Sequence, residues 1–103
     1  MDPVEDAVLA KVGSVELKIG RIEHFRVRIR YLNGADVRGD REGMPTWPYE
    51  RGARDSWTVA DWRARRFRNV YPGFDVDVLD GEGSVVAAGQ TLLETVRESY
   101  DEQ

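Results

Sequence analysis

Apolar and polar positions alternate most clearly in residues 24–32. Phe25, Val27, Ile29 and Tyr31 share one face, and Arg26, Arg28 and Arg30 share the other. A period of two predicts a half-buried strand. Asn33-Gly34 follows, the dipeptide suited to a type I′ hairpin, and predicts a brief return strand over residues 35–38. The same period recurs where Val15, Leu17 and Ile19 alternate with Glu16 and Lys18, and where Phe74, Val76 and Val78 alternate with Asp75 and Asp77. Both stretches predict strands. Asp80-Gly81-Glu82-Gly83 then reads as a hairpin loop, with residues 84–88 returning.

Helical spacing appears in three places. Asp2-Pro3-Val4-Glu5 has an N-cap, a proline at the first helical position and a glutamate at the third; Val4, Ala7, Val8 and Val12 follow at helical intervals, with Gly13 to close the element. A strand through residues 7–12 fits the same letters. Thr58-x-x-Asp61 predicts a capped helix to about Val70, with Ala60, Ala64, Phe67, Val70 and Tyr71 on its apolar face and Val59 beside them. Arg63 falls close to that stripe, and Pro72-Gly73 ends the helix. Thr91-x-x-Glu94 reads as a capping box for a last helix carrying Leu92, Leu93, Val96 and Tyr100. Residues 40–57 follow neither period. The expected fold is α+β: a mainly antiparallel sheet of about five strands, with two or three helices packed on one face, in a single globular domain over residues 1–103.

Composition narrows the classes. A chain of 103 residues, 41% hydrophobic with ten aromatics, is long enough to bury a core. It contains no cysteine, which excludes disulfides and thiolate zinc sites and suits a reducing compartment. No apolar run approaches the roughly 20 residues that span a bilayer. The first residues are acidic where a signal peptide is basic. The expectation is a cytoplasmic protein without membrane association.

Charge changes the picture most. Residues 20–70 hold twelve arginines against seven acids, a balance of +5, while residues 71–103 hold Arg97 against eight acids, a balance of −7. A cationic middle of this kind either meets its own acidic end or faces an acidic partner. The overall charge of −4 argues against a dedicated nucleic-acid domain, which is usually strongly basic.

Two groups of residues are candidates for binding. The outward row Arg26, Arg28 and Arg30 could track phosphates or an acidic peptide, because guanidinium groups fork onto both. It could equally form a cross-strand ladder with Asp75, Asp77 and Glu16. In residues 40–57, Trp47, Tyr49 and Trp57 alternate with Arg41, Arg51 and Arg54, the residue types that dominate interface hot spots and that stack on unpaired bases. The alternative is that these tryptophans fold inward as a lid over the core. The cluster Arg63, Arg65, Arg66 and Arg68 spreads around its helix and makes no single stripe for a DNA groove.

Chemistry beyond binding finds little support. Asp75-x-Asp77-x-x-Asp80-Gly-Glu82 misses the calcium-loop spacing, since its third carboxylate and glycine fall one place late and no glutamate closes the loop. His24 is the single histidine, and no nucleophile elbow, phosphate loop or metal-ligand spacing accompanies it. No catalytic residue, metal or cofactor is assigned. The expected function is a small non-enzymatic interaction protein that binds an acidic or amphipathic protein partner, or a second copy of itself, through Trp47, Tyr49, Arg51, Arg54 and Trp57 with the Arg26, Arg28 and Arg30 row. Two alternatives stand beside it: sequence-tolerant binding of single-stranded nucleic acid, and a small-ligand pocket or enzyme at a dimer interface, which a deep apolar cavity near His24 would favour.

Overall fold

Residues 9–101 are described by the computed structural model. The helix start expected at residues 2–5, with Val4, Ala7 and Val8, lies outside the described residues. Among these the chain forms β1 (Leu9–Ala10), α1 (Val12–Glu23), β2 (Arg26–Tyr31), β3 (Met44–Pro45), a middle helix α2, β4 (Phe74–Leu79) and α3 (Leu93–Asp101). Helix α2 is built in three pieces, Val59–Trp62, a wider π-turn at Arg63–Phe67, and Arg68–Val70. The class is α+β. The sheet of about five strands is replaced by four short strands in two antiparallel pairs, β1 with β3 and β2 with β4.

The strongest alternation produces the longest pairing. Strand β2 runs against β4 with Val27 opposite Val78 and Ile29 opposite Val76, and all four side chains are buried. The expected return strands shrink to single bridges, Arg30 with Asp36 and Leu79 with Val85. At the first turn the Gly34 amide donates to the Tyr31 carbonyl and the Tyr31 amide to that of Ala35. Only glycine carries the left-handed geometry there (φ 88°), so Asn33 is not the first half of a type I′ turn. The extra residue makes a three-residue loop, which splays the strands apart after one bridge.

The strand expected at Val15, Leu17 and Ile19 is instead the middle of helix α1. Over five residues the two periods share their ends, because positions four apart lie on one face of either element. The buried set decides: Val12, Val15, Ile19 and Glu23 recur every three or four residues, and Leu17 is 73% exposed. Lys11 supplies no side-chain cap, and the first amides of α1 instead donate to the carbonyls of Arg41 and Gly39. The helix ends on His24, whose left-handed backbone (φ 64°) lets its amide reach the Gly20 carbonyl.

Helix α2 begins as expected, with the Thr58 side chain accepting from the Asp61 amide and the Asp61 carboxylate accepting from that of Thr58. Its buried face differs from the expected one: Val59, Trp62, Phe67 and Tyr71 point inward, while Ala60 and Ala64 are exposed. The π-turn sets Trp62 and Phe67 five positions apart and still keeps both rings on one side. Those rings build the core. Trp62 meets Phe25 edge-on at 5.1 Å and Phe67 at 6.1 Å, and Phe67 meets Tyr71 at 5.1 Å. At α3 the first two amides donate to the carbonyls of Trp57 and Asp55, where the pattern suggested a box of Thr91 and Glu94. Leu93 and Val96 are buried and Leu92 is largely exposed.

Candidate interaction groove

The predicted binding residues do not come together. Trp47 is fully buried, 5.6 Å from Trp62 and 6.2 Å from Tyr71, so the inward of the two expectations holds for it. Tyr49 is half-buried against Trp47 and lies under the Arg66 guanidinium at 4.2 Å. Trp57 is half-buried beneath Arg65 and Arg66. These stacked cations hold the rings down against α2. Arg51 and Arg54 are exposed, and among the described residues no acid lies within ion-pair distance of either guanidinium group.

The arginine row divides. Arg30 is committed: its Nε donates to Asp77 at 2.7 Å and its other end meets Asp36. Arg68 lies 4.0 Å from Asp75 on the neighbouring strand position. This is the ladder alternative, realised for one of the three strand arginines. Arg28 is exposed near Glu16, and Arg26 is exposed without an acid partner.

A buried carboxylate that the sequence reading overlooked holds residues 51–55 in place. Glu23 is 0% exposed, and its two oxygens accept from Arg66 at 2.6 Å, the Ala53 amide at 2.9 Å and Arg97 at 3.4 Å. Arg97 spreads its fork further, donating to the Glu23 and Ala53 carbonyls and to Asp55, each at 2.7 Å. Segment 51–55 therefore joins α1, α2 and α3. Gly52 sits so close to α1 that a Cβ there would lie 2.9 Å from the Ile22 carbonyl oxygen.

Beside this junction opens a groove of about 860 Å³ between α1 and α3, floored by Phe25 and Val27. Its α1 wall is one helical stripe of Gly13, Leu17, the adjacent Gly20 and Arg21, and His24, one turn apart and ending at the left-handed cap. Arg26 extends this wall. The α3 wall carries Glu94, Glu98 and Asp101, also one stripe. All three acids, together with Arg21, His24 and Arg26, are exposed, and among the described residues no ion pair joins the two walls. The exposed charges of the groove are thus cationic on the α1 side and anionic on the α3 side, and Leu17 lies exposed on the α1 side.

Two groups at the edge of the groove serve the fold. Glu16 accepts from the Ile29 amide at 2.8 Å, which closes part of the outer edge of β2. Burial pushes its carboxyl above the usual range, against the lowering effects of that amide and of Arg28. Tyr100 accepts from the Arg26 amide and donates to the Leu79 carbonyl, finishing the ladder between β2 and β4. Burial raises its phenol as well.

Of the residues lining this groove, Arg26 was singled out from sequence as a binding residue, and a cavity near His24 as a discriminating feature. Leu17, Arg21, Glu94, Glu98 and Asp101 were missed. The available signal was the stripe at 13, 17, 20, 21 and 24, legible only once residues 12–23 are read as a helix. The fold and groove define a small α+β domain with a bipolar groove. No protein-family model, curated protein or solved structure matches the chain. Among the described residues, no cluster of three or more His, Asp or Glu could hold a metal ion, and no helix is long and apolar enough to cross a membrane.

Proposed function

We propose that this protein is a small non-enzymatic interaction domain whose working surface is the groove between α1 and α3, and whose partner is acidic or amphipathic. The reading keeps the class expected from sequence and moves its surface. Trp47 serves the core and Phe25 is buried in the floor of the groove, so the apolar grip falls to Leu17, and the cationic grip to Arg21 and Arg26. The observation that carries it is an exposed leucine on the cationic wall of a concave site whose exposed charges have no ion-pair partner among the described residues. Such a site gains from covering Leu17 and loses no existing ion pair when occupied.

The test is selection of a random peptide library on the intact protein, with counter-selection on the variant Leu17→Asp. Selected peptides are expected to lose at least about tenfold in affinity, roughly 1.4 kcal/mol, for Leu17→Asp and for Arg26→Glu. Both variants are expected to melt within a few degrees of the parent. Peptides that bind parent and variants equally, or a selection that enriches nothing, would overturn the reading.

The volume of the groove and His24 at its lip favour a second reading, a small anionic ligand with an apolar body. About 860 Å³ lies in the ordinary range for ligand pockets. A fragment screen by NMR would support it if carboxylate or phosphate fragments shift Leu17 and His24 together. Shifts confined to other surfaces would dismiss it.

A further inference from the structure

We infer that the occupant of the groove is the same groove of a second copy of the chain, in a two-fold dimer. This rests on the groove being a receiving surface and names what it receives. The argument is charge complementarity. Arg21, His24 and Arg26 line one wall, Glu94, Glu98 and Asp101 the other, and among the described residues the two sets do not pair. In a two-fold contact the same patch meets itself, so each wall can face the opposite wall of its partner. A foreign partner would need both signs in matching order; a second copy carries them by construction.

The apolar centre fits the same geometry. Leu17, 73% exposed, lies midway along the α1 stripe. In the two-fold contact it lies against the α3 wall of the second copy. An interface of ordinary size covers about 800 Å² per protomer, roughly an eighth of the 6483 Å² surface. The pairs at its rim would be partly solvated and salt-sensitive, setting the orientation of the copies more than their affinity.

The experiment uses the full chain and two double variants. Arg21→Glu with Arg26→Glu makes both walls acidic, and Glu94→Arg with Glu98→Arg makes both basic. All four side chains are exposed and unpaired, so the fold should survive, which far-UV circular dichroism and melting check. Sedimentation equilibrium from about 10 μM to about 1 mM would show the parent dimerising in this range. Each variant alone should dimerise at least about tenfold more weakly, and an equimolar mixture of the two should recover at least about tenfold over either alone.

A monomeric parent throughout the range overturns the second copy, while Leu17-dependent library peptides would still uphold the groove as a receiving surface. Variants that dimerise as well as the parent place any contact elsewhere and overturn the inference. So does a mixture that fails to recover.

Discussion

Trp47 lies between Pro45 and Pro48 in a stretch rich in arginine, a context that resembles a presented aromatic, yet its indole is interior. What the neighbouring letters do not show is the aromatic surface of Trp62 and Tyr71, which come from a later segment and close around it together with nearby Tyr49. Trp47→Ala is expected to cost about 3–5 kcal/mol, because the cavity left behind forfeits contacts on every side. Trp47→Phe should cost clearly less, since the buried indole N–H makes no hydrogen bond. Urea unfolding of both variants measures the difference. Equal losses would mean the indole nitrogen matters, and no loss for alanine would mean the ring is dispensable to the core.

Helix α1 shows how far a local pattern carries an element. Four β-branched residues and two glycines in Val12–Glu23 disfavour a helix intrinsically, and the alternation at 15–19 suggests a strand. Packing overrides both, by burying Val12, Val15 and Ile19 and by carrying Glu23 into the interior. The helix also brings Glu16 to the edge of β2, where its carboxyl is held above its ordinary value of 4.5, chiefly by burial. A carboxyl raised on folding binds its proton more tightly in the folded state. Its contribution is therefore present below the unfolded value and lost as pH rises through the folded one. Glu16→Gln removes that loss and can keep the bond from the Ile29 amide. Relative to the parent, the variant is expected to gain stability at about pH 7 and to match it near pH 3, as read from urea midpoints at the two values. A variant weaker at neutral pH would show that the charge itself is needed.

At the scale of the molecule, charge segregation along the chain is only partly undone by folding. Arg30 and Arg68 reach acids of β4, while the lone arginine of the acidic end, Arg97, turns back to Glu23. Among the described residues Arg21, Arg26, Arg51 and Arg54 remain without acids. The junction around Glu23 ties three helices through two guanidinium groups and one loop amide, so removing it strands two cations that are mostly buried. Glu23→Ala is expected to destabilise by about 3–5 kcal/mol. Amide exchange at Ala53, whose N–H loses its acceptor, should quicken more than at Ile29 on β2. Uniform acceleration across both sites would mean global unfolding rather than release of segment 51–55.

The letters alone determined the features whose causes lie within a few residues. Strands β2 and β4 follow from alternation, the turns at 31–35 and 80–84 from glycine and asparagine or aspartate, and the start of α2 from Thr58 and Asp61. Each is signalled by a pattern close in sequence, so a short window holds the answer. Only the tertiary structure decided that residues 12–23 coil, that Trp47 turns inward, that a carboxylate is buried between two arginines, and that α1 and α3 face each other across a groove. Those outcomes depend on surfaces brought from 30 to 74 positions away. Burial and charge pairing are satisfied across space, and no local window records which distant surface will satisfy them.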